Sequence, residues 1–403
     1  MLKREEKAWQ VPGELEYLLS LSEGSMAQMP PEDMDWHRFF RFAEKNRLTT
    51  QAAAAIQRLP EIPGCTQPIL KRKQQLAFKT LRQIQTLAML MKRFEQEGLR
   101  VLTMKGPLLA VELYGDPSLR YSNDLDLLVC EAQFSRTREI LLEEGFQEEE
   151  GLFHKTEKRR KNLVRHGEEM HKAFRRQDLC VELHWRISFR YTVSVEALWE
   201  RRQRKTLLGQ NIPYIGPEDN LLYLICHAAG HGFSRLRWLL DLYHLFRMDQ
   251  DALPRLYRRM AQLEVGQLLL ITLLLMYVLP GFRMEPIENA LFSIRKEGDT
   301  VSVEYDPAVK RDMRKACKLL KLLKPLLLKD TDPEGLADRN VKYAIPVVGE
   351  KTTVLSYLHD LVKPQEAELK RFDLPDSLFF LYYIIRPFYK LWRLTPFYKR
   401  RNP

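Results

Sequence analysis

Arg120-Tyr-Ser-Asn-Asp-Leu-Asp-Leu-Leu-Val129 is the stretch on which the fold turns. Side chains alternate faces along a strand, so Asp124 and Asp126 point one way while Leu125, Leu127 and Val129 point into a core. One strand thus presents two carboxylates. Held close, they repel and raise each other's proton affinity unless a divalent cation neutralises them. An Asp-x-Asp on a buried strand therefore suggests Mg²⁺ or Mn²⁺, although a solvated strand edge or loop offers the same spacing.

Upstream, Leu99-Arg-Val-Leu-Thr-Met104 is a short apolar run suited to a buried strand. Lys105-Gly106-Pro107 follows and opens a helical pattern through Tyr114, with Pro107 in the first turn. At such a turn, backbone N–H groups and a helix N-terminus approach phosphate closely, and Lys105 adds a cation. The same residues also suit an ordinary strand-to-helix turn with a surface lysine. Gly115 to Asn123 carries turn chemistry and delivers the chain to the Asp124–Cys130 strand. Arg120 and Ser122 lie just before the aspartates. Arg120 suits a nucleotide phosphate bidentately, or alternatively a salt bridge to one of the aspartates; Ser122 offers a hydroxyl to the triphosphate.

Downstream, Glu131 to Glu144 reads as a helix closed by Gly145. Leu179-Cys-Val-Glu-Leu-His-Trp185 alternates as a strand and supplies Glu182 as a third carboxylate. Three carboxylates can hold two metal ions, one activating an attacking oxygen and the other binding triphosphate and stabilising departing pyrophosphate. His184 shares the Glu182 face and is either directed at that centre or a satisfied core residue.

Four segments resemble an uncharacterised bacterial nucleotidyltransferase family of the DNA polymerase beta-like superfamily. They are Met104-Lys-Gly-Pro-Leu-Leu-Ala110, Tyr114-Gly-Asp-Pro-Ser-Leu-Arg120, Asn123-Asp-Leu-Asp-Leu-Leu-Val129 and Val181-Glu-Leu-His-Trp185. Similarity continues through Leu221-Leu-Tyr-Leu-Ile-Cys-His-Ala-Ala-Gly-His231 and Leu236-Arg-Trp-Leu-Leu-Asp-Leu242, covering roughly Val101 to Phe246. The resemblance implies a small mixed sheet backed by helices and Mg²⁺- or Mn²⁺-dependent transfer of a nucleoside monophosphate from an NTP. It also implies metal ligation at Asp124, Asp126 and Glu182. Two departures stand out: Lys105-Gly106-Pro107 replaces the superfamily's usual Gly-Ser, and Glu182 replaces a common Asp.

The fold class expected is α+β. It comprises a helical N-terminal segment over residues 1–98, a nucleotidyltransferase core over 99–216 and a mostly helical C-terminal domain over 217–403. Helical patterns run from Glu218 to Phe246, Ala252 to Val278 and Pro307 to Leu328, and in segments from Thr352 onward, with a long loop at Lys329–Glu350. His227 and His231 are placed on one helix face with Ser234, Trp238 and Asp241, directed at the sheet. Asp241 is a candidate to orient a histidine. A zinc site is not indicated, since His227-Ala-Ala-Gly-His231 lacks the Glu of the His-Glu-x-x-His hydrolases.

At 403 residues, 45% hydrophobic and 29% charged, the chain belongs with ordinary globular proteins and not with disordered or fibrous ones. Lys and Arg outnumber Asp and Glu by 64 to 53, a net charge of +11 that favours anionic partners, with basic runs at Lys158–Lys161 and Arg175-Arg176. Five scattered cysteines without a Cys-x-x-Cys pair indicate neither a disulfide framework nor a zinc site. With no signal-peptide pattern, the expected location is cytoplasmic. Val265–Leu279 falls short of the roughly 20 residues a transmembrane span needs, and Leu378–Trp392 is interrupted by Arg386, Pro387 and Lys390. The second stretch, rich in aromatic residues, is a candidate for peripheral membrane contact.

The function expected is nucleoside monophosphate transfer to a hydroxyl on a small molecule, a protein or RNA, with release of pyrophosphate. Two alternatives stand beside it. One is a catalytically inert nucleotide-binding or interaction protein on the same fold; the other, a glycosyltransferase using Asp-x-Asp, lacks the longer α/β half it would require.

Overall fold

The computed structural model describes residues 2–22, 29–149, 170–188, 191, 193–249, 251–289, 291–328, 371–372 and 374–394. The basic run Lys158–Lys161, the expected loop Lys329–Glu350 and most of the segments from Thr352 onward lie outside these residues.

The chain is α+β. It opens with strand β1 (Leu2–Lys7), then helices α1 (Gly13–Ser22), α2 (Trp36–Lys45), α3 (Thr49–Ile56) and the long α4 (Gln67–Gln96). Next come β2 (Val101–Met104), α5 (Gly106–Tyr114), β3 (Leu125–Val129) and α6 (Glu131–Glu143). Strands β4 (Gln147–Glu148), β5 (His171–Arg176) and β6 (Leu179–His184), helix α7 (Val195–Glu200) and the hairpin β7 (Gln203–Leu207) and β8 (Gln210–Tyr214) complete the first sheet. The strand-helix-loop-strand unit expected around Lys105 and the aspartates is present with these bounds.

In the seven-stranded sheet the order is β4-β5-β6-β3-β2-β8-β7. Pairings β3 with β6 and β2 with β8 are parallel, and the rest are antiparallel. Strand β3 lies near the middle and all five of its residues are buried, which its run of Leu, Leu and Val requires.

Helices α8 (Pro217–Gly230), α9 (Leu236–Met248), α10 (Ala252–Gln262) and α11 (Gly266–Val278) follow. The sequence pattern runs Glu218–Phe246 as one helix, but the chain breaks at residues 231–235, where Gly232 and Phe233 take positive φ of 65° and 50°. Trp238 and Asp241 therefore sit on a separate helix from His227. Helix α11 is buried at every residue, so the apolar Val265–Leu279 stretch is a core helix. No helix among the described residues is long and apolar enough to cross a membrane.

A second sheet, absent from the sequence expectation, follows with β9 (Ile287–Glu288), β10 (Phe292–Glu297) and β11 (Thr300–Tyr305). Its order is β1-β11-β10-β9, and all pairs are antiparallel. Residues 2–7, grouped by sequence with an N-terminal helical segment, thus pair with strand β11. The hairpin turns at Gly298, whose φ of 57° suits glycine. Beyond it lie α12 (Lys310–Leu327) and the C-terminal α13 (Leu381–Leu394), which contains Pro387.

Candidate active site

Parallel pairing of β3 with β6 sets Asp126 beside Glu182 and Leu128 beside His184. Antiparallel pairing of β5 with β6 then sets His171 beside His184. Asp126, Glu182, His184 and His171 consequently share one face of three adjacent strands. Asp124 lies one residue before β3 on the same alternation.

Lys105 occupies the turn between β2 and α5. Its backbone has φ 46° and ψ −132°, a conformation side-chain-bearing residues rarely adopt, and Gly106 follows at φ 56°. That turn sends the Lys105 side chain inward. Its Nζ lies 3.3 Å from Asp126 Oδ1 and 3.4 Å from His227 Nδ1, and 5.0 Å from the centre of the Tyr223 ring. The lysine is a partner of the acidic centre and not a surface charge.

Ser122 Oγ donates to Asp124 Oδ1 at 2.9 Å, so the hydroxyl positions a carboxylate of the site. The loop carrying it is pinned from three directions. Thr50 Oγ1 donates to the Leu119 carbonyl at 2.6 Å, Arg237 to that of Tyr121 at 2.5 Å and Gln83 to that of Ser122 at 3.1 Å. Helices α3, α9 and α4 thereby hold the approach to Asp124 in place.

Arg120 pairs with a different aspartate from the two the sequence suggested. Its guanidinium donates from Nε and a terminal nitrogen to the two carboxylate oxygens of Asp241, at 2.9 and 2.8 Å. Both side chains are 1% exposed. Its bidentate partner is therefore Asp241 and not the aspartate pair, and it ties the site loop to α9. The Asp241 carboxylate, a candidate to orient a histidine, is the bidentate partner of Arg120.

The electrostatics follow from burial and these neighbours. Burial, with Asp126 adding its charge, raises the Asp124 pKa. Burial would also raise Asp126, but Lys105 and His184 outweigh it and hold that carboxyl far below the ordinary range. Glu182 is likewise lowered: burial opposes ionisation, and His184, His171 and their charges overcome it. For His184 burial favours the neutral ring, yet the adjoining Asp126 and Glu182 raise its pKa. Burial, with Lys105 and His231 beside it, pushes His227 well below the usual histidine value.

Sequence reasoning missed His171 and Tyr223. Tyr223 lies one turn before His227 on α8, and their rings are 5.9 Å apart. His227 and His231 meet Trp238 across the break between α8 and α9, at 5.5 and 5.2 Å between ring centres. The histidine face therefore does reach the sheet, through His227. For His171 a signal was available: a two-residue turn at Gln177-Asp178 pairs Arg176 with Leu179, and counting back sets His171 opposite His184. Gln-Asp lacks the glycine that usually marks such a turn, although Gln177 takes a φ of 57° there.

The fold and site define an α+β protein whose acidic centre spans adjacent strands of a mixed sheet, flanked by an inward-facing lysine. A family model described as uncharacterised nucleotidyltransferase matches residues 32–279, more than half of the chain, and the protein belongs to that family. The match is wider than Val101–Phe246. It takes in α2 through α11 and leaves all four strands of the second sheet outside. No curated protein and no solved structure matches the chain.

Proposed function

We propose that the protein transfers a nucleoside monophosphate from an NTP to a hydroxyl acceptor, releasing pyrophosphate, at a centre built from Asp124, Asp126 and Glu182. The observation that carries this reading is the pairing of Asp126 with Glu182 on parallel neighbouring strands, with Asp124 one step away on the same face. Family membership supports nucleotidyl transfer in general. Placement in the DNA polymerase beta-like superfamily is part of the proposal and rests on the motif order.

The donor set fits a divalent ion such as Mg²⁺ or Mn²⁺. Asp126 is 2% exposed, and its Oδ2 is buried without a hydrogen-bond partner among the described residues. A bound ion supplies charge neutralisation for the triphosphate and lowers the pKa of the attacking hydroxyl. The chain's own residues do the rest. Ser122 fixes the Asp124 carboxylate, Lys105 brings a positive charge to the phosphate side, and the N-terminus of α5 at Gly106 presents backbone N–H groups. Gly106 lets phosphate approach closely because it carries no side chain.

One observation favours the second reading, an inert nucleotide-binding protein. Lys105 Nζ already stands beside Asp126, where it compensates the charge that an ion would otherwise compensate. The two readings separate in one experiment. The protein is incubated with each labelled NTP, Mg²⁺ or Mn²⁺ and a cell lysate, and pyrophosphate and labelled products are followed. Transfer predicts a labelled acceptor and a loss of about two orders of magnitude in pyrophosphate release for Asp126→Asn. Mg²⁺-dependent NTP binding without turnover in any mixture, or unchanged release in Asp126→Asn, rejects it.

The proposal extends to peripheral contact of α13 with an anionic lipid surface. Phe380, Ile384, Phe388 and Trp392 recur every four residues and are 58, 53, 69 and 39% exposed. This apolar stripe belongs to a chain of net charge +11, complementary to acidic headgroups.

A further inference from the structure

We infer that His171 and His184, together with Glu182, form a nitrogen-containing ligand set that makes this centre select a transition ion of the Mn²⁺, Co²⁺ or Zn²⁺ class over Mg²⁺. The inference rests on the reading above for the role of Glu182, which belongs to both the carboxylate centre and the histidine set.

Geometry carries it. One donor atom from each of His171, Glu182 and His184 lies within 4.8 Å of the other two. His184 Nε2 stands 3.2 Å from Asp126 Oδ1 and 3.4 Å from Glu182 Oε2, while His171 Nε2 is 3.8 Å from Glu182 Oε2. Two donors bound to one ion at about 2.0–2.2 Å stand about 3.0–3.5 Å apart, depending on whether the angle between them is octahedral or tetrahedral. The two His184 distances fall in that interval. His171 Nε2 stands just beyond that interval from Glu182, on a side chain that is 40% exposed.

The contacts of His184 with Asp126 and Glu182 leave part of the cluster unsatisfied. Among the described residues His184 Nδ1, His171 Nδ1 and Asp126 Oδ2 are buried without a hydrogen-bond partner, and His184 Nε2 meets Asp126 and Glu182 only as an ion-pair contact. Buried polar atoms left unpartnered are costly in a folded chain unless something else binds there. The two imidazoles lie with ring centres 4.7 Å apart, presented side by side from neighbouring strands.

Ligand chemistry sets the selectivity. Mg²⁺ demands oxygen donors and surrenders water reluctantly, whereas imidazole suits the later first-row ions. Asp124 and Asp126 offer oxygen alone. Glu182 is the oxygen ligand that the histidine set shares with them.

The test uses the full chain freed of metal with a chelator. Co²⁺ is titrated by its visible absorption, and bound Mn²⁺ is examined for nitrogen nuclear coupling by pulsed electron paramagnetic resonance. Wild type is expected to show nitrogen coupling, and His171→Ala to weaken Co²⁺ binding at least about tenfold with Mg²⁺ binding unchanged. Absence of nitrogen coupling in wild type, absence of Co²⁺ binding, or equal Co²⁺ affinity in His171→Ala overturns the inference. The coupling measurement needs no variant, so a misfolded His171→Ala leaves the test intact. Nucleotidyl transfer is scored separately: His171-dependent Co²⁺ binding without any transfer would retire the transfer reading alone, and Mg²⁺-supported transfer with His171-independent Co²⁺ binding would retire only this one.

Discussion

At Arg120 the residue scale separates chemistry suited to a ligand from chemistry used by the fold. A guanidinium buried against a carboxylate loses its hydration and is tolerated only while the partner remains. Arg120→Ala is therefore expected to lower stability by about 3–5 kcal/mol, measured by urea denaturation, because Asp241 would be left buried and unpaired. Replacing both partners, Arg120→Met with Asp241→Leu, is expected to recover most of that loss. An Arg120→Ala protein of normal stability but weakened NTP affinity would return the arginine to the phosphate.

Lys105 poses the complementary case, a strained backbone kept for a side chain. Positive φ at a residue with a Cβ costs roughly 1–2 kcal/mol. Lys105→Gly and Lys105→Ala both remove the ammonium from Asp126, so their difference isolates the backbone. The glycine variant is expected to be more stable by about 1 kcal/mol in thermal or urea unfolding. Equal stabilities would mean that the turn relaxes once the lysine is gone.

Elements decide which residues meet. The hairpin β5–β6 carries Glu182, His184 and His171, and its far edge is anchored by Glu148 on β4. Glu148 accepts from Arg138 of α6 at 2.5 Å and pairs with Lys172 of β5 at 3.3 Å. Burial opposes the Glu148 charge, but Arg138 and Lys172 outweigh it and lower the pKa below 4.5. A carboxyl whose pKa is lower folded than unfolded binds fewer protons in the native state. Its stabilisation is complete above the unfolded pKa, near 4.5, and is lost as the pH falls from there through the folded value. Urea midpoints of wild type and Glu148→Gln are accordingly expected to differ at pH ~7 and to converge near pH ~3. A gap that persists unchanged in acid would assign the effect to packing.

For the whole molecule, the two ends of the chain matter most. Strand β1 pairs with β11 residue by residue from Leu2–Tyr305 to Lys7–Thr300, so the start of the chain completes a sheet formed almost three hundred residues later. The exposed aromatic stripe of α13 lies at the other end. Wild type is expected to sediment with phosphatidylserine-containing vesicles at low salt and to be released by high salt, and Phe388→Asp to bind them several-fold less. Wild type remaining in the supernatant with anionic vesicles would remove the membrane from its partners.

Consecutive residues fixed only local features. Period-two alternation placed Asp124 and Asp126 on one face of a strand, and Gly106-Pro107 marked a helix start, because both depend on the geometry of a few consecutive residues. The shared face of Asp124 and Asp126 and the α+β class were legible on that basis. Tertiary structure decided everything that depends on which distant segments pack together. It paired β3 with β6 so that Glu182 stands beside Asp126, turned Lys105 inward, and brought His171 into register with His184. It also sent Arg120 to Asp241, a partner 121 positions away. A guanidinium suits phosphate and carboxylate equally well, and only the packing of α9 against the site loop chose between them.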